Sequence, residues 1–283
     1  MQLFPEGHKA LGTIWFLEVF DNLESDKVLN LQKGVISFIE NFEQRYSRFT
    51  TDSFLNYLNY DKKVSFDKYL WQMLDLGEKF YKETNGAFDL FIKKYLENKG
   101  YGKQIDREEK GIVVDAKKPR VWNDGKYIFL NSANQIDLGG IGKGYLIDIL
   151  AQKLLQDFEV QFFVINGGGD IYVTSENGNP VTIELEDPFK VDEFVGVVSL
   201  KNQSLCASST HKRKWIFNNQ KQNHFIKGDS EKDKASFVIA DTAVVADVLA
   251  TVACIIHDEA TVSKIFEKDN AQYWILNDDI MQV

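Results

Sequence analysis

The stretch IDLGGIGKGYLIDIL at residues 136–150 sets four glycines around a lysine, between an acidic residue and an apolar helical pattern. Gly139, Gly140, Gly142 and Gly144 let a backbone turn sharply and come close to a ligand. Lys143 puts a cation in the same turn. A helix is expected from about residue 144, with Tyr145, Leu146, Ile149 and Leu150 on its apolar face and its free N–H groups directed back at the turn. Such a turn suits an anion, although it has neither the dinucleotide-fold nor the Walker spacing, and a tight packing corner reads the same way.

Working outward, the chain has 283 residues, 44% of them hydrophobic, enough to bury a large core as one elaborate domain or two interlocked lobes. A formal net charge of −9 argues against a general nucleic-acid or anionic-membrane binder and favours small-molecule chemistry. Cys206 and Cys254 lie far apart without metal-ligand spacing, so neither a disulfide framework nor a zinc site is expected. The first twenty residues lack the features of an export signal, and no apolar run reaches membrane-spanning length, so a cytoplasmic location and no membrane span are expected.

Periodicity predicts a strand over 11–20, a helix over about 27–46, a second helix over 66–84 and a solvated loop over 98–110. Beyond the glycine stretch, short strands are expected at 160–165, 171–174, 181–185, 195–200, 214–217 and 237–240. A helix over 242–256 and a final helix and strand within 259–276 follow. NGGGD at 166–170 reads as a tight turn between two strands, GDSEKDK at 228–234 as a charged loop, and HKRK at 211–214 as a basic surface turn. Without repeats or a low-complexity linker, the elements are expected to form one interlocked α+β unit.

ADVLAT at 246–251 places Asp247 and Thr251 four residues apart, on one helical face. A carboxylate and a hydroxyl there can share one hard cation such as Mg²⁺, which keeps its remaining positions for water or phosphate oxygens. A helix cap and a back-bonded threonine would look the same in sequence.

Six segments in register resemble the ApbE family, the FAD:protein FMN transferases. LGT at 11–13 is similar to the family's MGT, and SRFTTDSFLNYLN at 47–59 to its S-[RT]-[FY]-x-x-x-S-x-[LI]-x-x-[LF]-N. GAFD at 86–89 matches, as does IDLGGIGKGYLID with DLGGIAKGYAVD, INGGGDIYV with the NxGGD turn, and ADVLAT with ADALAT. The resemblance implies an α+β, ApbE/T-fold-like architecture of mixed antiparallel sheets with packed helices, as one domain over 1–283. It implies an FAD site formed by Leu11, Phe49, Ala87, Phe88, Asp89, Asp137 and Lys143, joined by Ile226 of the H-x-I segment. It implies Mg²⁺ held by Asp247, Thr251 and the Gly140 carbonyl.

The implied reaction attaches FMN from FAD to a Thr or Ser hydroxyl of an acceptor flavoprotein and releases AMP. Asp89, Asp137 and His224 are the candidates for the base that takes the hydroxyl proton. Two departures stand out. The family's H-x-I-D-P-x-T-G keeps His224 and Ile226 but has Lys227 and Gly228 in place of Asp and Pro and no T-G, and its ATSG appears with Ser209 in place of the Gly. Hydrolysis of FAD to FMN and AMP, or FAD binding without turnover, are the alternative readings.

Overall fold

The computed structural model describes residues 1–283 apart from 103–104, 106, 112–113, 176–178, 212–213, 218–219, 224–232, 278–279 and 283, with the backbone alone at 214–217, 220–223 and 280–282. In chain order the first elements are β1 (His8–Ala10), β2 (Thr13–Val19), α1 (Ser25–Tyr46), α2 (Phe54–Asp61), β3 (Lys63–Ser65), α3 (Lys68–Glu83) and α4 (Lys93–Asn98). There follow β4 (Val121–Asn123), β5 (Tyr127–Leu130), α5 (Gly142–Gln156), β6 (Phe163–Gly167), β7 (Ile171–Thr174), β8 (Val181–Glu186) and β9 (Phe194–Leu200). The chain closes with β10 (Gln203–Ser209), β11 (Lys214–Phe217), β12 (Gln220–Asn223), β13 (Lys234–Ala240), α6 (Ala243–Ile255), α7 (Glu259–Lys268), β14 (Gln272–Asn277) and β15 (Ile280–Gln282).

An antiparallel sheet in the order β1-β2-β6-β7-β10-β13-β14-β15 forms the frame. A smaller β3-β5-β4 sheet and the hairpins β8–β9 and β11–β12 surround it. This is the α+β arrangement of mixed antiparallel sheets and packed helices expected from the sequence.

Both faces of the sheet's middle are covered, which explains why β13 reads KASFVIA rather than as a polar–apolar alternation. Successive side chains of a strand point to opposite faces. Phe237 and Ile239 join Ile171, Val173 and Leu205 in a core beneath β8 and β9, whereas Val238 and Ala240 join the larger core that contains α5 and α6. Helix α6 is apolar nearly all round because most of it is buried, with Asp247, Thr251 and Ile255 reaching the side that opens on a cleft, and Asp247 is the one charged side chain within it. Helix α1 instead buries a stripe, Leu31, Val35, Ile39, Phe42 and Tyr46, and leaves its opposite face to solvent.

Some local expectations shift. Helix α5 begins at Gly142, two residues before the expected start, because the Gly142 and Ile141 N–H groups already bond to the Leu138 carbonyl. Strand β13 begins at Lys234, inside the expected charged loop, because its edges pair with β10 and β14 over the strand's length. Strand β10 was not foreseen: QSLCASS is too small and polar to stand out, yet it pairs with β7 on one side and β13 on the other. Among the described residues, no helix is long and apolar enough to cross a membrane.

Candidate functional site

The sheet and helices gather distant motifs onto one cleft of about 1640 Å³. Its lining includes Leu11, Phe49, Ala87, Phe88, Asp89, Asp137, Gly140, Lys143, Asp247 and Thr251. Every site residue expected from the sequence is therefore on this cleft except His224 and Ile226, which lie outside the described residues.

Each motif has a local reason for its place. Pairing of β2 with β6 sets Trp15 opposite Gly167, which brings LGT under the NGGGD turn. Gly168 has φ +77° and lies so close to Thr13 that a Cβ there would overlap the threonine hydroxyl, so the turn requires glycine. Leu11 also has positive φ, and its N–H donates to Glu43 Oε1 at 2.9 Å. In the 47–59 motif, Ser53 caps α2 through the Asn56 N–H, and the Asn56 amide donates to the Arg48 and Thr50 carbonyls at 2.8 Å. Asn59 grips Ile136 at both ends: its amide donates to the carbonyl at 2.9 Å and its Oδ1 accepts the Ile136 N–H at 2.7 Å. That pins the entrance to the glycine turn. Phe88 is held by the Thr84 hydroxyl accepting its N–H at 3.0 Å, and its ring packs against Gly140.

Asp137 splints the turn. Its Oδ1 accepts the Gly139 N–H at 2.6 Å and its Oδ2 is bonded to the Arg48 guanidinium. Arg48 continues to Glu97, 3.7 Å away, and Glu97 to Lys93 at 2.9 Å; Asp137, Arg48 and Lys93 are buried and the Glu97 side chain is 8% exposed. Asp89 is similarly engaged, accepting from Arg120 at 3.0 Å and from the Phe91 N–H at 3.0 Å. Both aspartates expected as candidate bases are thus tied to arginines.

The far wall carries the densest charge. The Lys143 ammonium, on the first turn of α5, bonds to Asp170 Oδ2 and stands 3.4 Å from both oxygens of Asp247. Asp247 Oδ2 accepts the Gly144 N–H at 3.0 Å, so the helix N-terminus spends one of its free donors on α6 rather than leaving it all for a ligand. Asp148, one turn on, accepts the Ala243 and Val244 N–H groups at 2.7 and 2.9 Å and so caps α6.

Burial lowers the Lys143 pKa, but the carboxylates of Asp170 and Asp247 outweigh it and the net shift is upward, which keeps the ammonium charged. Burial raises Asp170; Lys143 opposes this and Asp247 adds to it. Burial also pushes Asp148 up to about 6, against the pull of its two backbone donors. Two buried carboxylates thus share one ammonium, and the surplus is negative. Together with the Thr251 hydroxyl one turn along and the Gly140 backbone, this is an all-oxygen donor set suited to a hard cation. Among the described residues no group of three or more His, Cys, Asp or Glu is arranged around a metal position; an Asp–Thr–carbonyl set contains one such residue.

Asp170, Asp148 and Arg48 were not among the candidates from sequence. Asp170 closes a glycine turn that reads as a hairpin corner, and only its contact with a lysine 27 positions away reveals more. An acid directly after a glycine cluster was the available signal.

The fold belongs to a known class. A crystal structure of an ApbE protein from Thermotoga maritima superposes with a TM-score of 0.81 at 20% identity, covering 98% of this chain and 95% of that one. The flavin transferase ApbE from Vibrio cholerae gives 0.76 at 17% identity, covering 98% and 94%. In sequence, the chain is 23% identical to a FAD:protein FMN transferase of Haemophilus influenzae across 96% of this chain and 86% of that relative. The ApbE family model matches residues 11–275, and the chain belongs to the ApbE family.

Proposed function

We propose that this chain is a Mg²⁺-dependent FAD:protein FMN transferase that joins FMN to a Thr or Ser hydroxyl of an acceptor flavoprotein and releases AMP. The name borne by its relatives supports the reading. The observation that carries it is the single cleft that holds Phe49 and Phe88, two aromatic surfaces, together with Lys143, Asp247 and Thr251. At about 1640 Å³ the cleft exceeds the roughly 300–1,000 Å³ of ordinary ligand pockets, leaving room for a dinucleotide and part of an acceptor. Its lining runs from Leu11 to Ile255, so we take the whole chain as one functional unit.

Leu11, Phe49, Ala87 and Phe88 would hold the flavin side, and Asp89 would sit at the same wall. Lys143 would neutralise a phosphate oxygen. Asp247, Thr251 and the Gly140 carbonyl would hold Mg²⁺, which when bound withdraws charge from the pyrophosphate oxygens. The acceptor hydroxyl oxygen forms a bond to the FMN-side phosphorus, the pyrophosphate bridge to AMP breaks, and the hydroxyl proton passes to a base.

Asp137 and Asp89 are each bonded to an arginine, and we assign them to shaping the cleft rather than to taking that proton. His224, kept from the family's H-x-I segment, and Ile226 as a flavin contact remain proposals from the sequence. The test is to incubate the protein with FAD, Mg²⁺ and a flavinylation-competent acceptor. A mass gain of one FMN moiety on the acceptor with AMP release is expected. AMP release that ignores the acceptor would indicate FAD hydrolysis instead, and bound FAD with no product would overturn the enzyme reading.

A further inference from the structure

We propose that Asp170 is a positioning residue: it holds the Lys143 ammonium off Asp247, so that Asp247 keeps an oxygen open for a divalent cation. This rests on reading Asp247 and Thr251 as part of a cation site. The argument starts from how one ammonium is divided between two carboxylates. Lys143 makes its close contact with Asp170 Oδ2 and stays 3.4 Å from both oxygens of Asp247, the outer limit of a hydrogen bond. Asp247 Oδ2 is taken by the Gly144 N–H at 3.0 Å, which leaves Oδ1 with the distant ammonium alone among the contacts described.

Asp170 is fixed for this task. It is 2% exposed, its Oδ1 accepts the Ala207 N–H at 3.3 Å from β10, and its own carbonyl accepts the Gly167 N–H at 2.8 Å across the glycine turn. The anchor therefore comes from the sheet, whereas Lys143 and Asp247 come from helices. An ammonium is a compact charge that competes for the same carboxylate oxygens as a metal ion. A lysine free to settle on Asp247 would neutralise the cation's principal ligand. Held by Asp170, it sits beside that ligand without capping it, and remains available to an anionic phosphate.

The test measures Mn²⁺ binding, as a magnetic stand-in for Mg²⁺, by titration of the full chain without FAD. Wild type is expected to bind. Asp170→Asn keeps the shape but loses the charge that holds Lys143, and binding is expected to weaken at least tenfold. Adding Lys143→Met to Asp170→Asn removes the competitor and is expected to recover the affinity to within threefold of Lys143→Met alone. Asp170→Glu, which keeps the charge, is expected to stay within threefold of wild type.

Equal binding by Asp170→Asn and wild type would overturn the proposal alone. So would a double variant as weak as Asp170→Asn, because that result would make Asp170 a ligand or a structural prop. Should Asp170→Asn fail to fold, Asp170→Ser with and without Lys143→Met repeats the comparison: a tenfold loss that the second change recovers is expected, and a loss left unrecovered would overturn the proposal. A wild-type protein that binds no Mn²⁺ would overturn the cation reading and the proposal together.

Discussion

Gly144 is where the two helices of the site meet, and substituting it by alanine tests the arrangement directly. A Cβ at Gly144 would overlap the Ala243 carbonyl oxygen and lie 2.8 Å from both the Ala243 carbonyl carbon and Asp247 Cβ. Two of these three atoms are backbone and cannot swing aside, and Cβ of Asp247 moves only with its own backbone. To reach ordinary contact, α5 and α6 must part by about 1 Å in a close-packed interior. Overpacking of this kind costs about 1–3 kcal/mol, offset by about 1 kcal/mol that alanine gains over glycine within a helix.

A net loss of up to about 2 kcal/mol corresponds to a Tm lowered by up to roughly 8 °C for a chain of this size class. The same separation stretches the 3.0 Å bond from the Gly144 N–H to Asp247 beyond hydrogen-bond range, so Asp247 loses its anchor. Differential scanning fluorimetry reads the first effect and Mn²⁺ titration the second, where about a threefold to tenfold weakening is expected from the loss of about one hydrogen bond. Gly111, whose added Cβ meets nothing within 4 Å, supplies the control substitution, with an expected change within about 0.5 kcal/mol. A Gly144→Ala protein with unchanged or raised Tm and unchanged Mn²⁺ binding would refute the close helix contact and its link to Asp247.

Asp148 gives a pH signature. Its carboxyl stands at about 6 in the folded chain against an ordinary 3.8, so the folded state binds more protons between these values, and this stabilising contribution, complete below pH 3.8, is lost as pH rises through 6. The stability of Asp148→Asn relative to wild type should therefore rise by up to about 3 kcal/mol between pH 4 and pH 7 in urea unfolding, and a flat difference would refute the raised carboxyl. Arg48→Met leaves Asp137 and Glu97 buried without their guanidinium and should cost about 3–5 kcal/mol. Adding Asp137→Asn should recover part of that loss, and purely additive losses would show that the pair is not coupled. Asp247→Ala should lower Mg²⁺-dependent FMN transfer at least about 100-fold while FAD binding falls much less; undiminished magnesium dependence would place the cation elsewhere.

Local pattern went furthest where a segment carries its own signal. Strands β7 and β11 fall at the residues expected, and α1, α3 and α6 lie within about two residues of their expected ends, the ordinary uncertainty of helix boundaries. Helices α1 and α3 carry a sustained apolar stripe, α6 is an almost unbroken apolar run, and β7 and β11 are marked by β-branched and aromatic residues. The short β3, β4 and β5 and the one-turn α4 were not legible, since three to six residues give no measurable period and owe their form to neighbours.

The site divides along the same line. Glycine spacing at 139–144 and the four-residue step from Asp247 to Thr251 are properties of short segments that point to chemistry by themselves, whereas the aromatic of SRF and the AFD turn were marked only by their resemblance to the ApbE family. What Lys143 and Asp137 touch is not such a property. The sequence suggested a lysine facing a nucleotide and an aspartate free to act as a base; the structure bonds the lysine to Asp170 and the aspartate to Arg48. Those partners lie 27 and 89 positions away in the chain: the packing of β6 and β7 on α5 brings Asp170 to Lys143, and the bonds from Asn56 and Asn59 of α2 to Arg48 and Ile136 bring Arg48 to Asp137. Sequence fixes which groups a turn or a helix face can offer, because those depend on backbone geometry a few residues long. Which charge answers which is decided by tertiary structure, because a buried ion must find its counterion wherever the fold has placed one.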